Sequence, residues 1–345
     1  MNDKEKSAER KGRKTIDLVT GATSPLGVAL TKKLIEQGDE VRVLVHQNPS
    51  KSDTWKKLPP GVIPFVGDIS LSHESDATAL AEACKGVNNV FHIASAVYRY
   101  KHKTSEDYLN VNVVGTENVL RACVDNNASG TKIRFIVPTT DQVYGTKRPG
   151  EVLTESSETR PHRIYGESKL MQEQVIKSFA SVHKNIQYTI FRTTLIYGVE
   201  FMVPFFAKIF RYIKEQKMRY IGTGNNHITM IHISDVVNAM AIASASQKAV
   251  NQVYNLSDGT PYTVRMLFEK AAKFMGVEPP KKKVSPALAR ILAKAIGLDD
   301  DEYNLMVTER IVSNEKLKRD IMTPKAKVDD KGKEMVDEFL KRYKH

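Results

Sequence analysis

The chain has 345 residues, 41% of them apolar, enough for a large core and fitting one nucleotide-binding fold with a smaller appended domain. Its formal net charge of +12 is spread along the sequence with no stripe of interleaved basic and aromatic residues, which argues against nucleic acid as a partner. No apolar run reaches the length of about 18 residues that would span a bilayer, and Cys84 and Cys123, both in helical patterns, read as free buried thiols of a cytoplasmic protein.

Residues 1–14, MNDKEKSAERKGRK, lack the apolar stretch of a signal peptide and read as a disordered basic tail. KTIDLV then predicts a buried first strand over 15–20, and VALTKKLIEQG a helix. Between them lies TGATSPLG at 20–27, a glycine-rich turn that aims backbone N–H groups at an anion such as a dinucleotide pyrophosphate. Further strands are expected near 41–45, 62–66, 89–93, 133–138 and 186–191, with helical periodicity between them. That alternation predicts an α/β fold, a doubly wound parallel sheet with a cofactor across the carboxyl ends of its strands. In YGESK at 165–169, Tyr165 and Lys169 share one helix face, where an ammonium lowers the pKa of a phenol. A phosphate cradle with an activated tyrosine points to hydride and proton transfer at a carbinol or carbonyl carbon. Beyond 195 the pattern turns irregular, with Gly, Asn and Pro clusters at 222–226, 258–261 and 279–286, which should build a smaller C-terminal substrate domain. ALARILAKAIG at 287–297 is amphipathic and basic; it should cover the substrate site with Arg290 and Lys294 in solvent, the alternative being weak contact with a membrane surface. His227 and His232 flank a strand-like segment without acids at ligand spacing, so no metal site is expected.

More segments follow in collinear order: GDI at 67–69, FHIAS at 91–95, NVVGTENVL at 112–120, TTDQVYG at 139–145, FRTTLIYG at 191–198, IHISDVV at 231–237 and VYNLSDG at 253–259. With the glycine turn and YGESK, this series resembles the extended short-chain dehydrogenase/reductase family over about residues 15 to 275. That family holds nucleotide-sugar epimerases and dehydratases, hydroxysteroid dehydrogenases and flavonol-type reductases. The resemblance implies a Rossmann domain over 15–194 and a substrate-binding domain over 195–345, interleaved near 231–257.

The resemblance also implies roles for single residues. Gly21 and Gly27 stand where the family has glycine, but Ser24 replaces the middle one and Pro25 follows it. Ser24 must then turn its side chain aside or donate its hydroxyl to a phosphate oxygen, while Pro25 suits a first helical turn. Thr23 and Leu26 complete the expected cradle. Where NAD enzymes hold the ribose hydroxyl with an acid, this chain has His46, Gln47 and Asn48, with Lys51 behind and Asp53 too late, which favours NADP over NAD. Asp68 matches the position that receives the adenine amino group, with Ile69 against the ring. Ala94, Ser95 and the backbone of His92 should line the nicotinamide side of the channel. Thr140 takes the place of the catalytic serine or threonine and bonds the reacting oxygen while Tyr165 transfers the proton. Lys169 holds the nicotinamide ribose, and Asn112 positions the helix or a water behind that lysine. Asp235 is expected to cap a helix.

Two features bear on the substrate. Gln142 stands where dehydratases carry a glutamate after the acid, here Asp141, and an amide cannot take the proton a base must take. Ile228 stands where sugar-nucleotide members place an arginine on the diphosphate, and Thr193 where they commonly carry proline. SPALARILAKAIG and VSNEKLKRDI look like C-terminal pieces of the hydroxysteroid dehydrogenase and flavonol reductase branch. The expected activity is that of an NADP-linked dehydrogenase/reductase acting on a hydroxyl/carbonyl pair in a small, partly apolar substrate. A nucleotide-sugar epimerase with tightly bound NAD is the alternative. A regulator that senses the cofactor without turnover is a third reading, against which Thr140, Tyr165 and Lys169 count. A homodimer is left open.

Overall fold

A computed structural model describes residues 14–46, 55–97, 104–145, 150–295 and 300–343. The first part of the chain forms β1 (Ile16–Thr20), α1 (Pro25–Glu36), β2 (Glu40–Val45), β3 (Ile63–Val66), α2 (Glu74–Cys84), β4 (Asn89–His92) and α3 (Ser105–Leu109). A π turn (Asn110–Val114) leads into α4 (Gly115–Asp125), β5 (Ile133–Thr140), a 3₁₀ turn (Asp141–Tyr144), β6 (Val152–Leu153), α5 (Ile164–Val182) and β7 (Ile186–Thr193). The remainder forms β8 (Leu195–Tyr197), α6 (Pro204–Lys214), β9 (Tyr220–Ile221), β10 (His227–His232), α7 (Ile233–Ala243), β11 (Gln252–Leu256), β12 (Pro261–Thr263) and α8 (Val264–Met275). It ends with β13 (Lys283–Val284), α9 (Pro286–Ala295), α10 (Asp300–Val307), β14 (Ile311–Val312), α11 (Glu315–Asp320) and α12 (Val328–Arg342).

Seven strands make one sheet in the order β11-β7-β5-β4-β1-β2-β3, and every neighbouring pair is parallel. Its strands are apolar on both faces because helices cover both. Val19, Val43, Phe91, Ile136 and Phe191 face one side, where Leu26, Leu30 and Leu34 of α1 and Val236 and Met240 of α7 meet them. Their sequence neighbours Leu18, Leu44, Val90, Phe135 and Ile190 face the other, against Leu80 of α2, Val119 of α4 and Ile176 of α5. Each such side chain, fully buried, stabilises the fold by about 1.5–3 kcal/mol, so this two-sided alternation fixes the layers. Cys84 and Cys123 lie in the second face as buried free thiols. The winding direction reverses between β1 and β4, the place where open α/β sheets take ligands at their carboxyl ends.

Smaller sheets stand beside this one: β12-β10-β8, β13-β9 and β14-β6. Strands β8, β9, β10 and β12 belong with a third core, in which Phe206 and Phe210 of α6, Phe268 of α8 and Phe339 of α12 pack against Met230 and Tyr262, whereas Leu153 of β6 and Val312 of β14 pack with Val143 and Tyr144. One expectation is corrected here. The residue capping α7 is His232, still extended, whose ring accepts from the Ser234 N–H at 3.2 Å. Asp235 lies inside the first turn, and its Oδ2 accepts from the backbone N–H of Lys325 and Ala326, tying the C-terminal chain down. On α9 Ala289 is buried and Arg290 exposed, but Leu288 and Ile291 are 49% and 68% exposed, so its apolar face is only partly packed. Among the described residues no helix is long and apolar enough to cross a membrane.

Candidate active site

The turn from β1 into α1 sits at the point of reversal and is built for close approach. Gly21 has φ +68°, and a Cβ there would lie 2.6 Å from the Ala94 nitrogen, so only glycine lets this turn lean on the end of β4. At Gly27 a Cβ would come within 2.3 Å of the Gly21 oxygen. Ser24 takes the first of the two roles open to it: its Oγ donates to the Gly21 oxygen at 2.8 Å and accepts from the Gly27 N–H at 3.1 Å, capping α1. Pro25 follows at the first helical position, exposed, with Thr23 half-buried and Leu26 buried against the sheet. A helix N-terminus held against the strand ends by a turn with glycine at both of its close approaches fits a dinucleotide pyrophosphate.

The adenosine end of such a ligand would meet β2 and the loop after β3. His46 Nε2 lies 2.7 Å from Asp68 Oδ2, and Asp68 Oδ1 accepts from both the N–H and the hydroxyl of Ser70. Asp68 is thus partnered within the chain, and Ile69, 5% exposed, packs inward under Gly115. Gln47, Asn48, Lys51 and Asp53 lie outside the described residues, as does the tail up to residue 13.

Around Tyr165 and Lys169 the polar groups are buried and linked. Lys169, 3% exposed, donates to Gln172 Oε1 at 2.9 Å; Gln172 donates to Thr116 Oγ1 at 2.8 Å; Thr116 donates to the Asn112 carbonyl at 2.7 Å. With the Thr116 proton so used, His92 must donate to Thr116 from Nε2 and accept from Thr20 at Nδ1. The His92 side chain is therefore an internal strut, and burial, with Lys169 nearby, lowers its pKa to about 3. Burial also lowers the pKa of Lys169 to about 7, with the Glu173 carboxylate pulling it back up. Asn112, fully buried in the π turn, accepts from Ser95 Oγ and Ala96 N and donates to Ser168 Oγ, which donates to the Tyr165 carbonyl. It joins α5 to the loop after β4, where Ala94 N meets Thr20 Oγ1. Tyr165 is 8% exposed and meets Tyr108 edge to face.

Thr140 ends β5, and its Oγ1 accepts from Gln142 N and sits 3.4 Å from Asp141 Oδ1. A Cβ on Gly166 would lie 3.0 Å from the Gln142 oxygen, so the first turn of α5, carrying Tyr165, packs directly on the turn that follows Thr140. Two groups here, Arg310 and Glu173, escape a reading of the sequence. Burial pushes the Asp141 carboxyl up, opposed by Arg310, whose Nη1 stands 3.7 Å away. Arg310 Nε is buried and, among the described residues, has no hydrogen-bond partner. Glu173, one turn beyond Lys169, is fully buried and takes Arg192 at 2.8 and 3.0 Å. Only the helical spacing of Gln172 and Glu173 from Lys169 hinted at an inward polar face; nothing in the sequence joins Asp141 to Arg310. Ile228, partly buried, packs against the third core.

A parallel sheet with its cradle at the reversal and a Tyr and Lys on the helix beside it defines a nucleotide-binding enzyme of the extended short-chain dehydrogenase/reductase class. The profile of the NAD dependent epimerase/dehydratase family matches residues 18–257, and the chain belongs to that family. A 4-hydroxy-2-methyl-3-oxo-4-farnesyl-3,4-dihydroquinoline-1-oxide ketoreductase of Stigmatella aurantiaca is 26% identical over 80% of this chain and 78% of its own length. A UDP-glucose 4-epimerase of Vibrio cholerae is 28% identical over 73% of each. For several curated relatives the matched stretch is 62% to 78% of the relative's length. The crystal structure of a Thermotoga maritima UDP-glucose 4-epimerase superposes with a TM-score of 0.75 at 21% identity, covering 95% of this chain and 99% of that one; at that identity it speaks for the fold. The chain is accordingly an NAD(P)-dependent enzyme of the dehydrogenase and epimerase kind.

Proposed function

We propose that this chain is an NADP-linked dehydrogenase/reductase acting on a hydroxyl/carbonyl pair in a small, partly apolar substrate, with Tyr165, Thr140 and Lys169 as its catalytic set. The nicotinamide, when bound, supplies or accepts the hydride. Tyr165 moves the proton at the substrate oxygen, and Thr140 donates a hydrogen bond to that oxygen. Lys169 offers an ammonium that favours the tyrosinate. Asn112 is a positioning residue, acting through Ser168 on the Tyr165 backbone. The observation that carries this reading is the buried chain of bonds from Lys169 through Gln172 and Thr116, which holds the lysine in one place on the tyrosine's helix.

An epimerase remains the second reading, because Arg310 is a cation beside Asp141 with an unused donor that could meet a diphosphate. Against it, the side chain at 228 is apolar and packed in a core. The test is oxidation of NADPH with a panel of partly apolar ketones, run with Tyr165→Phe. We expect the variant to lose on the order of a hundredfold or more in turnover with cofactor affinity unchanged. Wild-type rate in Tyr165→Phe on a genuine substrate refutes the mechanism; micromolar UDP-sugar binding with epimer formation installs the second reading.

A further inference from the structure

Helix α9 leaves an aliphatic face in water. Ser285 caps its start, the Oγ accepting from the Leu288 N–H at 3.3 Å, and one side of the helix packs inward, where Ala289 meets Ile221, Val284 and Tyr303. Leu288 and Ile291, three positions apart and so neighbours on the helix surface, remain 49% and 68% exposed. Single surface leucines are ordinary; an adjacent pair on an amphipathic helix is a patch.

This patch stands among cations. Strand β13 leads into α9 through Ser285; Lys281 and Lys282 precede the strand and Lys283 begins it, all three exposed. It pairs in parallel with β9, and the Tyr220 N–H donates to the Lys282 carbonyl at 2.9 Å, which brings Arg219 alongside. Arg219 ends a second basic stretch, 211–219, in which Arg211, Lys214 and Lys217 are also exposed. The acids of these stretches are spent locally: Glu278 pairs with Lys281 and Glu215 with Lys217, so Lys282, Lys283 and Arg219 carry the surplus charge. The acids at 300–302 open α10, whose Tyr303 meets Ala289, a position about 200° round the helix from Ile291.

An aliphatic pair ringed by lysines narrows the choice of partner. A second copy of this chain would set the same cations against each other across a two-fold axis. Nucleic acid would meet the lysines but offers nothing to Leu288 and Ile291. An anionic lipid bilayer meets both, its headgroups taking the cations and its acyl boundary the aliphatic side chains. We propose that α9 and the β9–β13 pair form one face that seats this protein on an anionic membrane surface, with Leu288 and Ile291 entering the acyl boundary and Lys282, Lys283 and Arg219 among the phosphates. The helix lies in the interface without spanning it, since its 10 residues rise only about 15 Å, half a hydrocarbon core. This seat shares no residue with the Tyr165, Thr140 and Lys169 cluster and holds whatever the substrate.

Cosedimentation of the full chain with vesicles of phosphatidylcholine containing about 30% phosphatidylglycerol, at about 0.1 M salt, tests this. Wild type should bind these vesicles and release them in high salt, and bind pure phosphatidylcholine weakly. Lys282→Ala with Lys283→Ala should weaken binding on the order of twentyfold, about fivefold for each cation. Leu288→Ser with Ile291→Ser should weaken it about tenfold while remaining folded by thermal melting; if that pair does not fold, Ile291→Ser alone should cost about threefold. No binding of wild type to the anionic vesicles, or equal binding to neutral ones, overturns the proposal. So does undiminished binding in the folded serine variant, which would mean charge attraction alone, and duplex DNA held as tightly by that variant as by wild type would then install nucleic acid as the partner.

Discussion

Replacing Lys169 by methionine separates what the residue does for chemistry from what it costs the fold. The side chain is 3% exposed, and burial sets its folded pKa at about 7, against 10.5 for the free group. Because the folded value is the lower one, the unfolded chain holds more protons throughout the window between them, and stability rises with pH there. At about 1.4 kcal/mol per pH unit where the difference is one whole proton, wild type should gain about 2 kcal/mol between pH 7 and pH 9 from this residue alone. Lys169→Met has no such term. Urea unfolding of the cofactor-free proteins, followed by fluorescence of Trp55, the chain's single tryptophan, would measure both curves at several pH values. The variant should be the more stable protein near pH 7, inactive, and flatter with pH by that amount. Curves that run parallel from pH 7 to pH 9 would show that the lysine keeps an ordinary pKa in its buried seat, and the reasoning would fall.

Two other outcomes are expected. NADPH should bind more tightly than NADH, and His46→Asp, which sets a second carboxylate beside Asp68, should reverse the order by repelling the ribose phosphate; calorimetry showing an NADH preference in the unmodified chain sinks this. Glu173→Ala should destabilise by about 3–5 kcal/mol, because it leaves the Arg192 guanidinium buried without its carboxylate. A loss under about 1 kcal/mol in chemical denaturation would mean that water reaches the arginine.

The sheet was legible because its strands are apolar on both faces and carry their own boundaries: each of the six expected strands from 15–20 to 186–191 lies within a residue or two of a strand in the fold. For Ser24 the sequence leaves two roles open, a side chain turned aside or a hydroxyl on a phosphate, and its part as the cap of α1 shows only in the fold. What the sequence conceals are pairs made by distance. Arg310 reaches Asp141 across 169 positions, and β14 brings Ile311 and Val312 to β6, in segments too short for any periodicity. Asp235 looked like a cap because acids favour helix starts, but the chain was still extended at His232, and the imidazole reached the free N–H first.

The π turn at Asn110–Val114 carries a consequence for how this chain can change over time. A π turn holds one residue more than an α turn, and each residue turns a helix by about 100°. Losing that residue would give the segment from Ser105 to Asp125 a better hydrogen-bond ladder, yet rotate Thr116 away from His92 and Gln172, or Asn112 away from Ser168. Helical phase therefore opposes insertions and deletions here. A descendant that shortened the segment would gain a sturdier helix and lose these bonds, so drift in length should be confined to the chain on either side.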